Sequence, residues 1–143
     1  MEVLVKYENG FRFSAKCKGC TVTTGRGDDG NNSRDGMWPA QLFEASIGMC
    51  IGGYIAEFCK KEGIPYNDIM IELSRRIATH TPHAESDSKA SFTSRIDVEI
   101  CMGAELSEQQ RQGILKAADN CHITKSIEEK MQIVCSLAES DKQ

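Results

Sequence analysis

The sequence predicts a single α+β domain with two layers, in which an N-terminal β-meander and later strands pack against a long central helix. Three patterns support this fold class. The first 25 residues alternate between apolar and polar side chains, a 12-residue stretch in the middle of the chain carries no charge, and a second helical pattern follows two longer alternating segments. The predicted order within residues 1–143 is β-β-β-α-β-β-α-β.

The N-terminal strands are separated by turn signals. Asn9-Gly10 between two alternating runs is typical of a β-hairpin, and a second turn is expected at Gly19, before a short run that ends at Thr24. We therefore predict a three-stranded meander. Residues 25–36, rich in glycine, asparagine and aspartate, are predicted to form a loop.

A long helix is predicted from Pro39 to Lys61. Proline suits the first helical turn, and Gly63 with Pro65 just beyond it marks the end. Three glycines inside this helix cost roughly 1 kcal/mol each, which indicates that another backbone approaches closely. We expect the helix to be enclosed by the rest of the protein.

The second half of the chain is predicted from similar signals. Ser107 and Gln110 form a capping-box pattern that begins a second helix, which ends near Asp119. The other predicted elements are strands at Ile69–Ile77 and Ser91–Met102 around a polar loop at Thr79–Lys89, a turn at Asn120–Ser126 and a final strand at Met131–Leu137.

Composition excludes several classes of protein. The formal net charge of −4 without a basic cluster argues against nucleic-acid binding. The uncharged stretch is shorter than the ~20 residues that cross a bilayer, and the N-terminus lacks a signal-peptide pattern, so we expect a cytoplasmic protein without a membrane partner. Seven scattered cysteines do not resemble a secreted disulfide scaffold.

Two cysteines occupy positions that suit redox chemistry. Cys50 lies at the middle of the predicted helix, and Cys121 directly follows the second helix, before a turn rich in hydroxyl groups. A buried core thiol is the alternative interpretation of Cys50. A cysteine at the end of an element is accessible to a partner thiol, so Cys50 and Cys121 are candidates for a transient disulfide.

The segment from Pro39 to Cys50 (PAQLFEASIGMC) resembles the start of the central helix of the OsmC/Ohr family, where a Pro-x-x-Leu opening and small residues precede a reactive cysteine. Asn120-Cys121-His122 resembles the segment around the second cysteine of that family, and the order of elements agrees from about residue 2 to residue 138. The resemblance implies an intertwined homodimer with active sites at the subunit interface. It also implies reduction of organic hydroperoxides or hydrogen peroxide in stress defence, by a thiol or dithiol and without a metal or bound cofactor.

The resemblance also implies roles for individual residues. Cys50 attacks the peroxide and becomes a sulfenic acid, Cys121 resolves it to a disulfide, and an arginine assists the thiolate. Arg12 is the candidate for this arginine, with Arg26 and Arg34 as alternatives, and a solvated strand position is the other interpretation of Arg12. Burial alone raises the pKa of a thiol, so a cation or hydrogen-bond donors must offset it. The predicted substrate pocket consists of four apolar or aromatic side chains, for which ordinary core packing is the alternative: Trp38, Phe43, Ile47 and Tyr54.

One family feature is missing. The glutamate expected directly after Pro39 is Ala40 in this chain, and neither Glu44 nor Glu57 is an obvious replacement because of its position along the helix. This departure favours the less characterised OsmC-like branches over a typical organic hydroperoxide resistance protein.

Other interpretations remain open. Cys17-Lys-Gly-Cys20 spans a predicted β-turn, with a redox or metal-binding pair as the alternative. His122 is either an exposed turn residue or a group that tunes Cys121 or donates a proton, whereas His80 and His83 belong to a polar loop. On the same scaffold the chain would be a hydrophobic-ligand-binding or redox-sensing protein, or a carrier of a persulfide on Cys50.

Overall fold

The computed structural model describes residues 2–25, 36–80, 91–129 and 132–136. Its elements are strands β1 (Leu4–Asn9), β2 (Arg12–Cys17) and β3 (Cys20–Thr24), helix α1 (Pro39–Glu62), strands β4 (Met70–His80) and β5 (Ser91–Cys101), and helices α2 (Glu108–Ala118) and α3 (His122–Glu128). The mixed α+β content agrees with the prediction. The chain divides into two compact units, one formed by Met1–Gly48 with Ile71–Glu99 and the other by Met49–Met70 with Ile100–Gln143.

The first three strands form the predicted antiparallel meander, in the order β1-β2-β3. Tyr7 pairs with Phe13 across β1 and β2, and their rings meet edge to face at 5.6 Å. Because side chains alternate along a strand, Val5, Tyr7, Phe13 and Val22 share one face of this sheet. All four are more than two-fifths exposed, so this apolar face has little cover within the chain.

Helix α1 begins at Pro39 as predicted and ends at Glu62, one residue later than predicted. Gly63 follows with a φ of 66°, the left-handed conformation that ends many helices and that glycine adopts most easily. By length and mean hydropathy alone α1 could cross a membrane, which is weak evidence because core helices of soluble proteins meet the same criteria.

The helix is covered on one side rather than enclosed. Its buried stripe consists of side chains spaced four residues apart, namely Ile47, Ile51, Ile55 and Cys59. Met49 is 72% exposed. The close approach at Gly48 is made by a side chain and not by the expected backbone, because a methyl group there would lie 2.8 Å from Cδ1 of Leu73.

Among the described residues, the second half of the chain contains one helix more and one strand less than predicted, and Met131 and Leu137 of the predicted final strand lie outside them. Strands β4 and β5 form a two-stranded sheet close to the predicted ranges, and residues 81–90 of the predicted loop lie outside the described residues. Helix α2 begins with the predicted capping box, in which the Ser107 hydroxyl accepts from the Gln110 N–H at 3.2 Å and the Gln110 side chain accepts from the Ser107 N–H at 2.9 Å.

The predicted turn at residues 120–126 is instead the start of α3. Its hydroxyl-rich sequence suggested a turn, but the Ser126 hydroxyl donates to the His122 carbonyl at 2.8 Å, one helical turn back. The predicted final strand is wrong for residues 132–136, which have no regular secondary structure. Ile133 and Val134 are 84% and 88% exposed; a strand needs a neighbouring backbone to pair with, and the described chain supplies none at this segment.

Candidate active site

The structure brings Cys50 and Cys121 together within the second compact unit. Cys50 is half-buried at the middle of α1, and Cys121 is fully buried, with 0% exposure, between α2 and α3. Their thiols are within hydrogen-bonding reach of each other. The two cysteines selected from the sequence therefore form one site.

The Cys50 thiol lies in surroundings that oppose its ionisation. Burial raises the pKa of this thiol above its usual value, and the neighbouring Cys121 thiol raises it further. The amide groups of Ile123 and His122 act in the opposite direction without outweighing these effects. Cys50 therefore needs an additional group to become a thiolate near neutral pH.

The Cys121 thiol ionises more easily. Burial acts to raise its pKa, but the nearby Cys50 thiol and Thr124 hydroxyl, together with the amides of Thr124 and Ile123, lower it below the usual value. The Thr124 hydroxyl oxygen is buried without a geometrically formed hydrogen bond among the described residues, and its nearness to this thiol lowers the pKa of Cys121. Cys121 is thus the thiol that the surrounding donors favour as an anion.

His122 follows Cys121 in the sequence, and its side chain contacts Cys50. Its Nδ1 atom lies 3.8 Å from the Sγ atom of Cys50 and 3.4 Å from the hydroxyl oxygen of Tyr54. The Tyr54 and His122 rings meet at 6.3 Å with an angle of 67° between their planes. Tyr54 was predicted to line the substrate pocket and not to contact His122, because the pattern of residues on α1 does not indicate a partner 68 positions away.

A groove adjoins this cluster. It has a volume of about 350 Å³ and shares Tyr54 with the cysteine site, while Phe58 and Ala117 contribute apolar surface and Lys61 and Lys116 contribute positive charge. No residue other than Tyr54 was predicted to bind substrate here. The sequence did not reveal the groove because half of its lining comes from α2 and the residues that follow it.

The other predicted site residues belong to the first compact unit. Arg12 is the first residue of β2, and Trp38, Phe43 and Ile47 lie at or near the start of α1. Ile47 is 5% exposed and forms part of the core, whereas the rings of Trp38 and Phe43 are each 43% exposed. The roles assigned to these four residues stay predictions.

Neither alternative carboxylate is free to assist Cys50. Glu44 pairs with Arg75 at 2.8 Å, and Glu57 pairs with Lys61 at 2.9 Å. The hydrogen bond from Lys61 lowers the pKa of Glu57 below its usual value. Both carboxylates already have a cationic partner.

The Cys17–Cys20 segment closes the hairpin between β2 and β3, as predicted. The two cysteines are direct cross-strand partners, and Lys18 and Gly19 form the turn with φ values of 48° and 80°. Both thiols are free. Among the described residues, no group of three or more histidine, cysteine, aspartate or glutamate side chains is arranged to hold a metal ion, and His83 lies outside them.

The chain is a small mixed α+β protein in which one cysteine lies in a long helix and a second cysteine follows the next helix. A family model described as OsmC-like protein matches residues 29–136, more than half of the chain, so the chain belongs to the OsmC-like family. The matched range includes both cysteines and His122, and Arg12 precedes it.

Solved structures share the fold at low sequence identity. A hypothetical protein from Aquifex aeolicus VF5 has a TM-score of 0.68 and 19% identity over 90% of this chain and 87% of that chain. An OsmC-like protein from Mycoplasma pneumoniae has a TM-score of 0.66 and 11% identity over 90% and 87%. The organic hydroperoxide resistance protein OhrB of Bacillus subtilis has a TM-score of 0.52 and 18% identity over 88% and 90%. No curated protein matches the sequence.

Proposed function

We propose that this protein is a thiol-dependent peroxidase that reduces organic hydroperoxides, or hydrogen peroxide, through Cys50 and Cys121. The observation that carries the proposal is the direct interaction of a half-buried thiol with a fully buried one in the same compact unit. Membership of the OsmC-like family supports it, because structural neighbours include a protein named for organic hydroperoxide resistance.

The first step is an attack of the Cys50 thiolate on the terminal oxygen of the hydroperoxide. The O–O bond breaks, the sulfur is oxidised to a sulfenic acid, and the alkoxide leaves and takes up a proton to become an alcohol. Cys50 suits this step because its thiol is half-buried and therefore partly reachable, whereas the Cys121 thiol has no exposed surface.

In the second step the Cys121 thiolate attacks the sulfur of the Cys50 sulfenic acid. The S–O bond breaks, a disulfide forms, and the hydroxide that leaves takes up a proton to become water. The lowered pKa of Cys121 favours this step, because the thiolate is the attacking species. A thiol or dithiol then reduces the disulfide. A low pKa also makes Cys121 the better leaving group when the reductant attacks Cys50.

Three further parts of the proposal rest on the sequence patterns and on the family resemblance. Arg12 assists the Cys50 thiolate, the side chains of Trp38, Phe43 and Ile47 together with Tyr54 hold the organic part of the substrate, and the enzyme works in the cytoplasm as a homodimer without a metal or cofactor. The exposed apolar face of the β1-β2-β3 sheet supports dimer formation, because contiguous apolar surface of this kind is typical of an interface.

Steady-state turnover tests the proposal. Purified wild-type protein is given cumene hydroperoxide or hydrogen peroxide with dithiothreitol as the dithiol reductant, and peroxide consumption is recorded. We expect Cys50→Ser to reduce turnover to background. With Cys121→Ser we expect turnover to fall strongly, because the sulfenic acid then waits for an external thiol.

The matched control is Cys135→Ser, which removes an exposed thiol outside the site. We expect this variant to keep wild-type turnover. Equal activity of Cys50→Ser and wild type would contradict the proposal, and an inactive wild type with tight binding of apolar ligands would favour a binding protein on the same scaffold.

A further inference from the structure

The cluster around Cys50 contains the imidazole of His122. The glutamate that the family resemblance implies directly after Pro39 is absent from this chain. We propose that His122 accepts the proton of the Cys50 thiol and later returns it to the leaving alkoxide. Only the return of the proton to the alkoxide rests on the proposed peroxidase function. The formation of a Cys50 thiolate and a His122 imidazolium is a property of the resting protein.

The geometry supports proton transfer at a defined atom. The Nδ1 atom of His122 lies 3.8 Å from Cys50 Sγ, which is within the range of hydrogen bonds to sulfur. An adjacent imidazole is one of the ways in which proteins activate a cysteine nucleophile. In the transfer the Sγ–H bond breaks and an Nδ1–H bond forms, so that a negative sulfur faces a positive ring.

Tyr54 fixes which ring nitrogen faces the thiol. Its hydroxyl lies 3.4 Å from the same Nδ1 atom, one helical turn beyond Cys50. When Nδ1 carries no proton, its single lone pair is shared between the Tyr54 O–H group and the Cys50 S–H group, and it is released to Cys50 when the thiol proton is transferred. Tyr54 is therefore a positioning residue, and His122 is the residue that exchanges the proton with sulfur.

The other ionisable groups near Cys50 do not supply this base. The Cys121 thiol faces Cys50, but it raises the pKa of the Cys50 thiol instead of accepting its proton. Along α1, Glu57 is paired with Lys61 at 2.9 Å, and along α3, Lys125 donates to the Asn120 side chain at 3.0 Å. The ring nitrogen of His122, in contrast, contacts the Cys50 sulfur directly and can accept a proton.

The reaction balances with this proton. The thiolate attacks the terminal oxygen of the hydroperoxide and forms the S–OH group, the O–O electron pair leaves with the alkoxide, and the His122 Nδ1–H group protonates that alkoxide to an alcohol. The imidazole is then neutral again. No oxidant other than the hydroperoxide is needed.

The test measures the thiolate directly and without peroxide. The reduced full-length protein is alkylated with iodoacetamide across pH 5 to 9, and the rate at Cys50 is read by peptide mass spectrometry. The variant is His122→Asn, whose side-chain amide can occupy the position of Nδ1 but cannot take up a proton. The control is Lys125→Gln, which removes a positive charge from the same helix and leaves His122 intact.

We expect Cys50 of His122→Asn to react about tenfold more slowly at pH 7 than Cys50 of the wild type and of Lys125→Gln, which corresponds to about one pKa unit. If His122→Asn does not fold by circular dichroism, His122→Gln takes its place. An unchanged pH profile in the histidine variant would overturn the inference. If the profile shifts but hydroperoxide leaves wild-type Cys50 reduced, the base assignment stands and the peroxidase function fails.

Discussion

At the scale of single residues, the two cysteines differ in what surrounds them. Cys50 is partly accessible, and burial and its neighbour raise its pKa, whereas Cys121 is inaccessible and hydrogen-bond donors lower its pKa. A nucleophile has to meet the substrate, and a resolving thiol has to ionise readily beside it. In the proposed mechanism Cys50 therefore takes the first role and Cys121 the second, and Cys50 depends on a base.

The buried Thr124 hydroxyl is one of the groups that lower the pKa of the Cys121 thiol. In Thr124→Val the shape is kept and the donor is lost, so the pKa of Cys121 rises. A hydrogen bond to a charged group contributes about 1.5–3 kcal/mol, and one pKa unit corresponds to about 1.4 kcal/mol. We expect the Cys50 sulfenic acid to persist several-fold longer at pH 7, measured by rapid trapping with dimedone.

Ser126→Ala is the matched control for this prediction. It also removes a hydroxyl from α3, but that hydroxyl donates to the His122 carbonyl and not to a thiol. We expect its sulfenic acid lifetime to equal that of the wild type. Equal lifetimes in Thr124→Val and Ser126→Ala would show that the Thr124 hydroxyl does not stabilise the Cys121 thiolate.

At the scale of elements, helix α1 contains Cys50 and is buried on one side. Its sequence predicted both ends to within one residue, because Pro39, Gly63 and the capping positions act locally. The glycines were predicted to serve close packing, and this holds at Gly48 but not at Gly53, which has no atom within 4 Å of the position that a methyl group would take. Sequence alone does not distinguish the two, since both lie inside the same helix.

This difference predicts opposite effects of two equivalent substitutions. In Gly53→Ala the added methyl group meets open space and reduces the backbone freedom of the unfolded chain, so the free energy of unfolding should rise by about 0.5–1 kcal/mol. In Gly48→Ala the methyl group crowds Leu73 and this gain should be lost. Chemical denaturation of both variants provides the measurement. A destabilised Gly53→Ala protein would mean that a second chain or a ligand packs on that face.

At the scale of the whole molecule, the sequence patterns predicted the fold class, the meander, the two longer strands and α2. Local signals determine these elements: Asn9-Gly10 at a turn, Ser107 with Gln110 at a cap, and alternation along the strands. The final strand and α3 were missed. Their identity depends on partners in space, as shown by the Ser126 hydroxyl that bonds back into the helix and by the exposed segment 132–136 that has no neighbouring strand.

The site was predicted to a similar extent. Cys50 and Cys121 were found because their positions resemble a known pattern, whereas the approach of His122 to Cys50 arises from tertiary packing that brings α3 to the middle of α1. The departure at Ala40 is the sequence feature that indicated a missing group near Cys50. It did not indicate which residue would replace that group.

The exposed apolar face of the β1-β2-β3 sheet leads us to predict a homodimer that forms through this face. A homodimer has a mass near twice 15.8 kDa in solution, and Val5→Glu should weaken it, because this side chain lies on the apolar face. Lys6→Glu is the control, since neighbouring residues on a strand point to opposite faces. Light scattering after gel filtration measures both, and equal dissociation of the two variants would argue against this face as the interface.

The measurement that tests the central claim most directly is the identification of the oxidised atoms after one turnover. Reduced wild type and the Cys121→Ser variant are each mixed with one equivalent of cumene hydroperoxide and analysed by intact and peptide mass spectrometry. Our account predicts a Cys50–Cys121 disulfide in the wild type and one added oxygen on Cys50 in the variant. A wild-type Cys50 that stays reduced after several equivalents, or oxidation confined to the exposed cysteines, would contradict it.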